Sequence, residues 1–341
     1  MDNRDYFWDN LKALLMVLVI FGHTVTSLRE VKEITGLYYF IYTFHMPLFV
    51  FTSGFMAKTI MRDGKFRADR FFSTLWLYFF FCAGKFVIAR ILGQQIGLHL
   101  LDISGAPWYL LALSEWYLLV PLFLSLKPKT GMIFSVLTGL FAGYFGGVGT
   151  YLTLSRTLVF LPFFAFGLYL PKEKLYDFLD KAKKLRPLAF IFLSGISIYF
   201  IFFGDSFFRM RKLVFANRSY RYALEELAPY GFLFRGELYL LAVILCLSVM
   251  LFIPHRKTWF SYVGKYSLSV YILHIFVRDI MKYTGVFHWI KELPKEFMWL
   301  VIPACIIAAL LLGNPVFGRV MNWIANPVRE WRNHKKDTFT I

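Results

Sequence analysis

Acidic side chains are scarce in this sequence, 21 Asp and Glu against 38 Lys and Arg in 341 residues, and cysteine is scarcer still at three. Cys82, Cys246 and Cys305 each sit inside an apolar run, without metal-ligand spacing or a disulfide framework, so they read as packing residues. Gly-x-Gly-x-x-Gly, Walker-type phosphate loops, Cys-x-x-Cys, His-Glu-x-x-His and Gly-x-Ser-x-Gly are all missing. Dinucleotide, nucleotide, thiol-redox, zinc-peptidase and serine-hydrolase chemistry therefore lose their usual signatures, and no bound metal or cofactor is expected. There is no internal repeat, low-complexity tract or loop the size of a soluble domain. One domain over 1–341 is the economical expectation, with 1–8 as a short cytoplasmic lead and 314–341 as a cytoplasmic basic tail.

What is abundant is apolar: 58% of residues are hydrophobic and 20% aromatic, with a mean hydropathy of +0.56. The composition predicts an all-α polytopic membrane protein. Segments near the ~20 residues that cross a bilayer fall at 9–28, 38–57, 71–92, 107–126, 130–147, 151–170, 187–204, 235–253, 264–281 and 297–313. The first opens with charged residues and lacks a small-residue cleavage site, which predicts a retained span rather than a removed signal peptide.

The formal charge of +17 gathers in alternate short loops, "KTIMRDGKFRADR", "KPK", "KEKLYDFLDKAKKLR" and "HRK", and in the tail "REWRNHKK". Basic residues so placed mark cytoplasmic loops in a cell membrane, with both termini inside, and exclude nucleic acid as the partner. Residues 204–230 break the pattern, being basic and aromatic on the outer side. That segment suits an interfacial helix against headgroups or, equally, a surface for an anionic or sugar-bearing substrate. Its "NRS" triplet is weak evidence for glycosylation.

Ionisable residues at membrane depth carry the functional signal, because they are costly unless they face one another or a polar cavity. Helical geometry places Lys12 and His23 on one stripe about 16 Å apart. His45 enters the second span at a depth close to that of His23, followed by Pro47, Ser53 and Gly54, and Glu115 lies in the outer half of the fourth span. Arg156, Lys85 and the two histidines are candidate partners for that carboxylate. A lone His23 reads as packing glue between helices; two histidines, a carboxylate and an arginine at one level read as a catalytic or transport chamber. Arg278, at the outer end of the segment carrying Ser267, Tyr271 and His274, fits an interfacial anchor or an acceptor-binding group equally well. Gly139, Gly143 and Gly147 are expected to let the fifth span pack closely.

Several strings, in order, carry a resemblance: "KALLMVLVIFGH", "FHMPLFVFTSGF", "RFFS", "WYLLAL", "RTLVFLPFFAFG" and "GKYSLSVYILH". Over nearly the whole chain the sequence resembles the acyltransferase 3 membrane proteins, and more closely their fucose 4-O-acetylase-like branch, which O-acylate sugars of surface polysaccharides. The opening motif differs in one respect, since Lys12 stands where the family has arginine. The resemblance implies a bacterial enzyme that takes an acyl group, such as acetyl from acetyl-CoA, to a saccharide hydroxyl, and it associates Arg70 and Ser73 with the donor. General acid–base logic then casts His23 as base and Glu115 as its orienting carboxylate. Lys12 joins Arg70 in holding donor phosphates, while His45, Arg156 or Arg278 holds acceptor or oxyanion. The competing class is a transporter or flippase for a glycan-lipid or small anion, in which the same residues line a path and no bond changes.

Overall fold

The opening apolar run forms helix α1 (Tyr6–Val25), and the chain returns through α2 (Lys32–Met56). The computed structural model describes residues 4–28, 32–102, 105–147, 149–204 and 210–326; the basic stretch of the tail after 326 and part of 204–230 lie outside them. A two-strand hairpin, β1 (Met61–Arg62) with β2 (Lys65–Phe66), follows α2. Asp63 (φ 53°) and Gly64 (φ 71°) both take left-handed backbone there, the requirement of a tight two-residue hairpin turn.

The remaining helices are α3 (Ala68–Ile91), α4 (Trp108–Ser125), α5 (Pro128–Phe141), α6 (Leu154–Tyr169), α7 (Lys172–Lys181) and α8 (Arg186–Phe203). After them come α9 (Arg211–Val214), α10 (Tyr220–Leu224), α11 (Gly231–Met250), α12 (Ser261–Lys265), α13 (Ser267–Tyr283), α14 (Val286–Lys291), α15 (Val301–Leu312) and α16 (Pro315–Ala325).

Each expected span meets a helix, but lengths are redistributed. Among the described residues seven helical stretches are long and apolar enough to cross a membrane, two of them longer than expected because α7 adjoins α8 and α10 adjoins α11. By contrast α5, α6 and α13 have 14, 16 and 17 residues. Pro128 starts α5 and a 3₁₀ turn ends it, so this helix reaches only about 21 Å, short of the ~30 Å hydrocarbon core. Residues 315–325, expected within a basic tail, form α16 instead. Ser73 Oγ donates to the Ala325 carbonyl (2.7 Å) and Trp76 Nε1 to that of Ile324 (3.0 Å), which ties α16 to α3.

Helices α1 and α2 make the centre: 67% and 72% of their apolar windows are buried, against 11% for the α7–α8 stretch and 22% for α3. The peripheral helices turn Trp76, Phe79, Ile91, Phe190 and Ile191 outward, where lipid tails are as apolar as a protein interior. Cys82, Cys246 and Cys305 are buried free thiols.

Two glycines set the contact between α2 and α6. A Cβ on Gly54 would strike the Phe164 backbone, and one on Gly167 would strike that of Phe51, so the two helices touch backbone to backbone. Gly139 and Gly143 are likewise filled against Tyr239 and Tyr220, but Gly147 has open space beside it and lies beyond the end of α5. The close-packing expectation therefore fails for Gly147.

Asn10 fixes the other end of α1. Its Nδ2 donates to the Pro254 (2.8 Å) and Arg256 (3.0 Å) carbonyls, while its Oδ1 accepts from Thr258 Oγ1 (2.8 Å) and Ser261 Oγ (2.7 Å). The buried amide uses its full hydrogen-bonding capacity.

Candidate active site

At the C-terminal end of α1, His23 faces a cavity of about 260 Å³. The antiparallel α2 contributes Tyr42 and His45, α6 contributes Arg156, and α13 contributes Tyr271 and Arg278. Trp108 and Tyr109 close it from the start of α4, and Val214 and Phe215 from the α9 turn. The basic, aromatic segment within 204–230 thus supplies part of the wall through Val214 and Phe215. Of the two readings given to Arg278, its position is that of a cavity residue.

Fixed donors and acceptors determine what each group offers. His45 Nδ1 lies 2.8 Å from the Ile41 carbonyl and His274 Nδ1 2.8 Å from that of Val270. A carbonyl only accepts, so both rings carry hydrogen on Nδ1 and keep a lone pair on Nε2. The His274 ring lies behind His23, 5.3 Å between centroids. Arg156 donates through Nε to the Phe215 carbonyl (3.1 Å), and its guanidinium lies 4.9 Å from the centre of the Trp108 ring. Those contacts fix the plane of its fork at the cavity. Arg278 pairs with the adjacent buried carboxylate of Asp279, its Nε 3.0 Å from Oδ1. Tyr271 donates its hydroxyl to the Ala106 carbonyl, and the Tyr109 hydroxyl bonds Ser53 Oγ.

Glu115 stands elsewhere. It is seven residues beyond Trp108 on α4, about 10 Å further along the helix axis, and it is absent from the cavity wall. Its Oε2 accepts from Thr157 Oγ1 (2.6 Å), and Trp116 Nε1 donates to the Thr157 carbonyl (3.0 Å). Among the described residues no ion pair joins Glu115 to Arg156 or Lys85. Lys85 lines a separate recess with His99 and Asp102.

The three residues expected at the donor lie at the opposite end of α1. Lys12 Nζ is 3.1 Å from Asp9. Arg70 Nη1 donates to Thr59 Oγ1 at 2.5 Å, and Ser73 makes the α16 contact described above. Sequence reasoning missed the Phe215 carbonyl and the pairing of His274 with His23. His274 closes the quoted string "GKYSLSVYILH", but nothing in one sequence says which ring it meets.

The sequence profile of the acyltransferase 3 family, described as an acyltransferase domain, matches residues 5–315. Nodulation protein NolL of Sinorhizobium fredii is 35% identical over 137 residues, 36% of this chain and 37% of that protein. The chain thus covers little more than a third of the length of that curated relative. No solved structure matches. With the profile running from the start of α1 into α16, the chain belongs to the acyltransferase 3 family.

Proposed function

We propose that this protein is a bacterial plasma-membrane O-acyltransferase that moves an acetyl group from acetyl-CoA to a hydroxyl of a surface polysaccharide or its lipid-linked sugar precursor. The observation that carries this reading is the convergence of His23, His45, Arg156 and Arg278 on one small cavity. His23 takes the proton of the acceptor hydroxyl as its oxygen attacks the thioester carbonyl. Arg156, its fork held by Phe215 and Trp108, stabilises the oxyanion that develops. As the carbon–sulfur bond breaks, the His23 proton passes to the departing thiolate. His45 Nε2 and Arg278 orient the acceptor hydroxyls. Membership of the acyltransferase 3 family supports acyl transfer; the acetyl group and the glycan rest on the motif resemblance.

Donor and acceptor approach from opposite ends. With both termini cytoplasmic, Lys12, Arg70 and Ser73 lie where coenzyme A resides, and the ~16 Å from Lys12 to His23 is spanned by an extended pantetheine arm. Purified protein in sealed proteoliposomes, given labelled acetyl-CoA and a saccharide acceptor, should yield acylated sugar and an equal amount of free thiol. His23→Ala should abolish both products while keeping a monodisperse, folded protein. Movement of glycan across the membrane without thiol release would overturn the reading in favour of a flippase.

A further inference from the structure

His274 is 4% exposed, and its Nε2 is a buried side-chain atom without a hydrogen-bond partner among the described residues. Such an atom is costly to bury and needs an explanation. The opposite nitrogen cannot relieve it: Nδ1 is committed as a donor to the Val270 carbonyl (2.8 Å), so Nε2 can only accept. The ring beside it is that of His23, with centroids 5.3 Å apart and planes inclined by 41°. Among the described residues no hydrogen bond joins the two rings; one forms when His23 turns a ring nitrogen toward Nε2 along the line between the centroids. Arg278, one turn along α13 and paired with Asp279, does not supply the missing donor.

Building on the role proposed for His23 as base, we propose that His274 is its positioning residue: Nε2 of His274 accepts the N–H on the side of His23 away from the acceptor. A base needs a lone pair toward its substrate, and an imidazole held at one nitrogen by an acceptor must present that lone pair at the other. When the acceptor proton arrives, His23 becomes an imidazolium with two N–H groups, one still held by His274. The same proton then leaves for the thiolate sulfur, and His23 returns to its starting tautomer. His274 keeps its own protons throughout. It fills the orienting role with a neutral ring, at a place where Glu115 is not found.

Side-chain geometry separates this role from a structural one. An asparagine amide sits at the level of Nδ1, where it can still serve the Val270 carbonyl, while a glutamine amide reaches the level of Nε2 and can present an oxygen to His23. His274→Gln should retain activity within about threefold. His274→Asn should lower kcat about 100-fold with little change in KM for acetyl-CoA or acceptor. Equal activity of the two variants, or a more active asparagine variant, overturns the proposal. A second measurement covers poor folding of either variant: nitrogen-15 NMR of histidine-labelled wild-type protein, with the His23 signals assigned from His23→Gln. One N–H tautomer at His23 supports the proposal, and a mixture of tautomers overturns it. The failures are distinguishable, because an active His23→Ala protein removes the base itself, whereas an inactive His23→Ala beside a fully active His274→Asn removes only His274.

Discussion

Lys12 Nζ lies 3.1 Å from the Asp9 carboxylate, one turn earlier on α1, and Arg4 holds the same carboxylate. Asp9 is thus held by two cations at the end of α1 remote from the cavity, where Lys12 is the proposed contact to a donor phosphate. Lys12→Ala should raise the KM for acetyl-CoA about tenfold, the loss of one charge-assisted contact. Lys12→Arg should stay within a few-fold of wild type. Steady-state kinetics with acetyl-CoA and acceptor varied separately check this, and an effect confined to the acceptor would move Lys12 away from the donor.

Arg156 tests the oxyanion assignment. Lysine keeps the charge but has neither the Nε that meets the Phe215 carbonyl nor a planar group for the Trp108 face. Arg156→Lys should lower kcat by about 100-fold while the protein stays folded in a thermal melt. Wild-type turnover would show that the guanidinium fork is dispensable.

For Glu115, the bond accepted from Thr157 Oγ1 makes the prediction differ between two substitutions. Glutamine can still accept that bond, so Glu115→Gln should melt and turn over close to wild type. Glu115→Leu leaves the Thr157 hydroxyl only its longer contact to Thr153 Oγ1 (3.4 Å) and should cost about 1 kcal/mol of stability. A stable Glu115→Gln protein with kcat lowered by orders of magnitude would restore the carboxylate–His23 dyad.

Asn10 makes a prediction about stability alone. Asn10→Ala leaves two carbonyls and two hydroxyls facing the space of the lost amide, a loss of about 2–4 kcal/mol. Asn10→Asp keeps the hydroxyl bonds but turns a carboxylate oxygen toward the Pro254 and Arg256 carbonyls, and should fare no better. Melting temperature and specific activity of the folded fraction, measured on one sample, should show the first falling and the second unchanged.

How much was legible follows from what one sequence encodes. His23, His45 and Arg156 stand out because an ionisable residue in an apolar run demands a polar neighbour, and helix direction fixes its depth. Depth is not azimuth, however. Glu115 belongs to the same broad level yet meets Thr157, because α4 turns it elsewhere, whereas Lys85 opens onto the recess with His99 and Asp102 while its Nζ lies beside Gly105 of the cavity wall. Asn10 is not legible in the sequence, because an amide beside an N-terminal charge cluster reads as an ordinary helix start and its four partners are more than 240 residues away. The shortness of α5 was visible in Pro128, but the apolar residues after Phe141 extended the expected span across a turn.

The reciprocal contact at Gly54 and Gly167 has a consequence for the dimensions of the site. His45 rides on α2 and Arg156 on α6, and the spacing of those helices is limited by main-chain atoms instead of by side chains that can be trimmed. Shortening core residues between the two helices will leave holes without bringing the walls together, while adding even one methyl group at either glycine will drive them apart. The gauge between these two functional groups is thus set by the thickness of the polypeptide backbone.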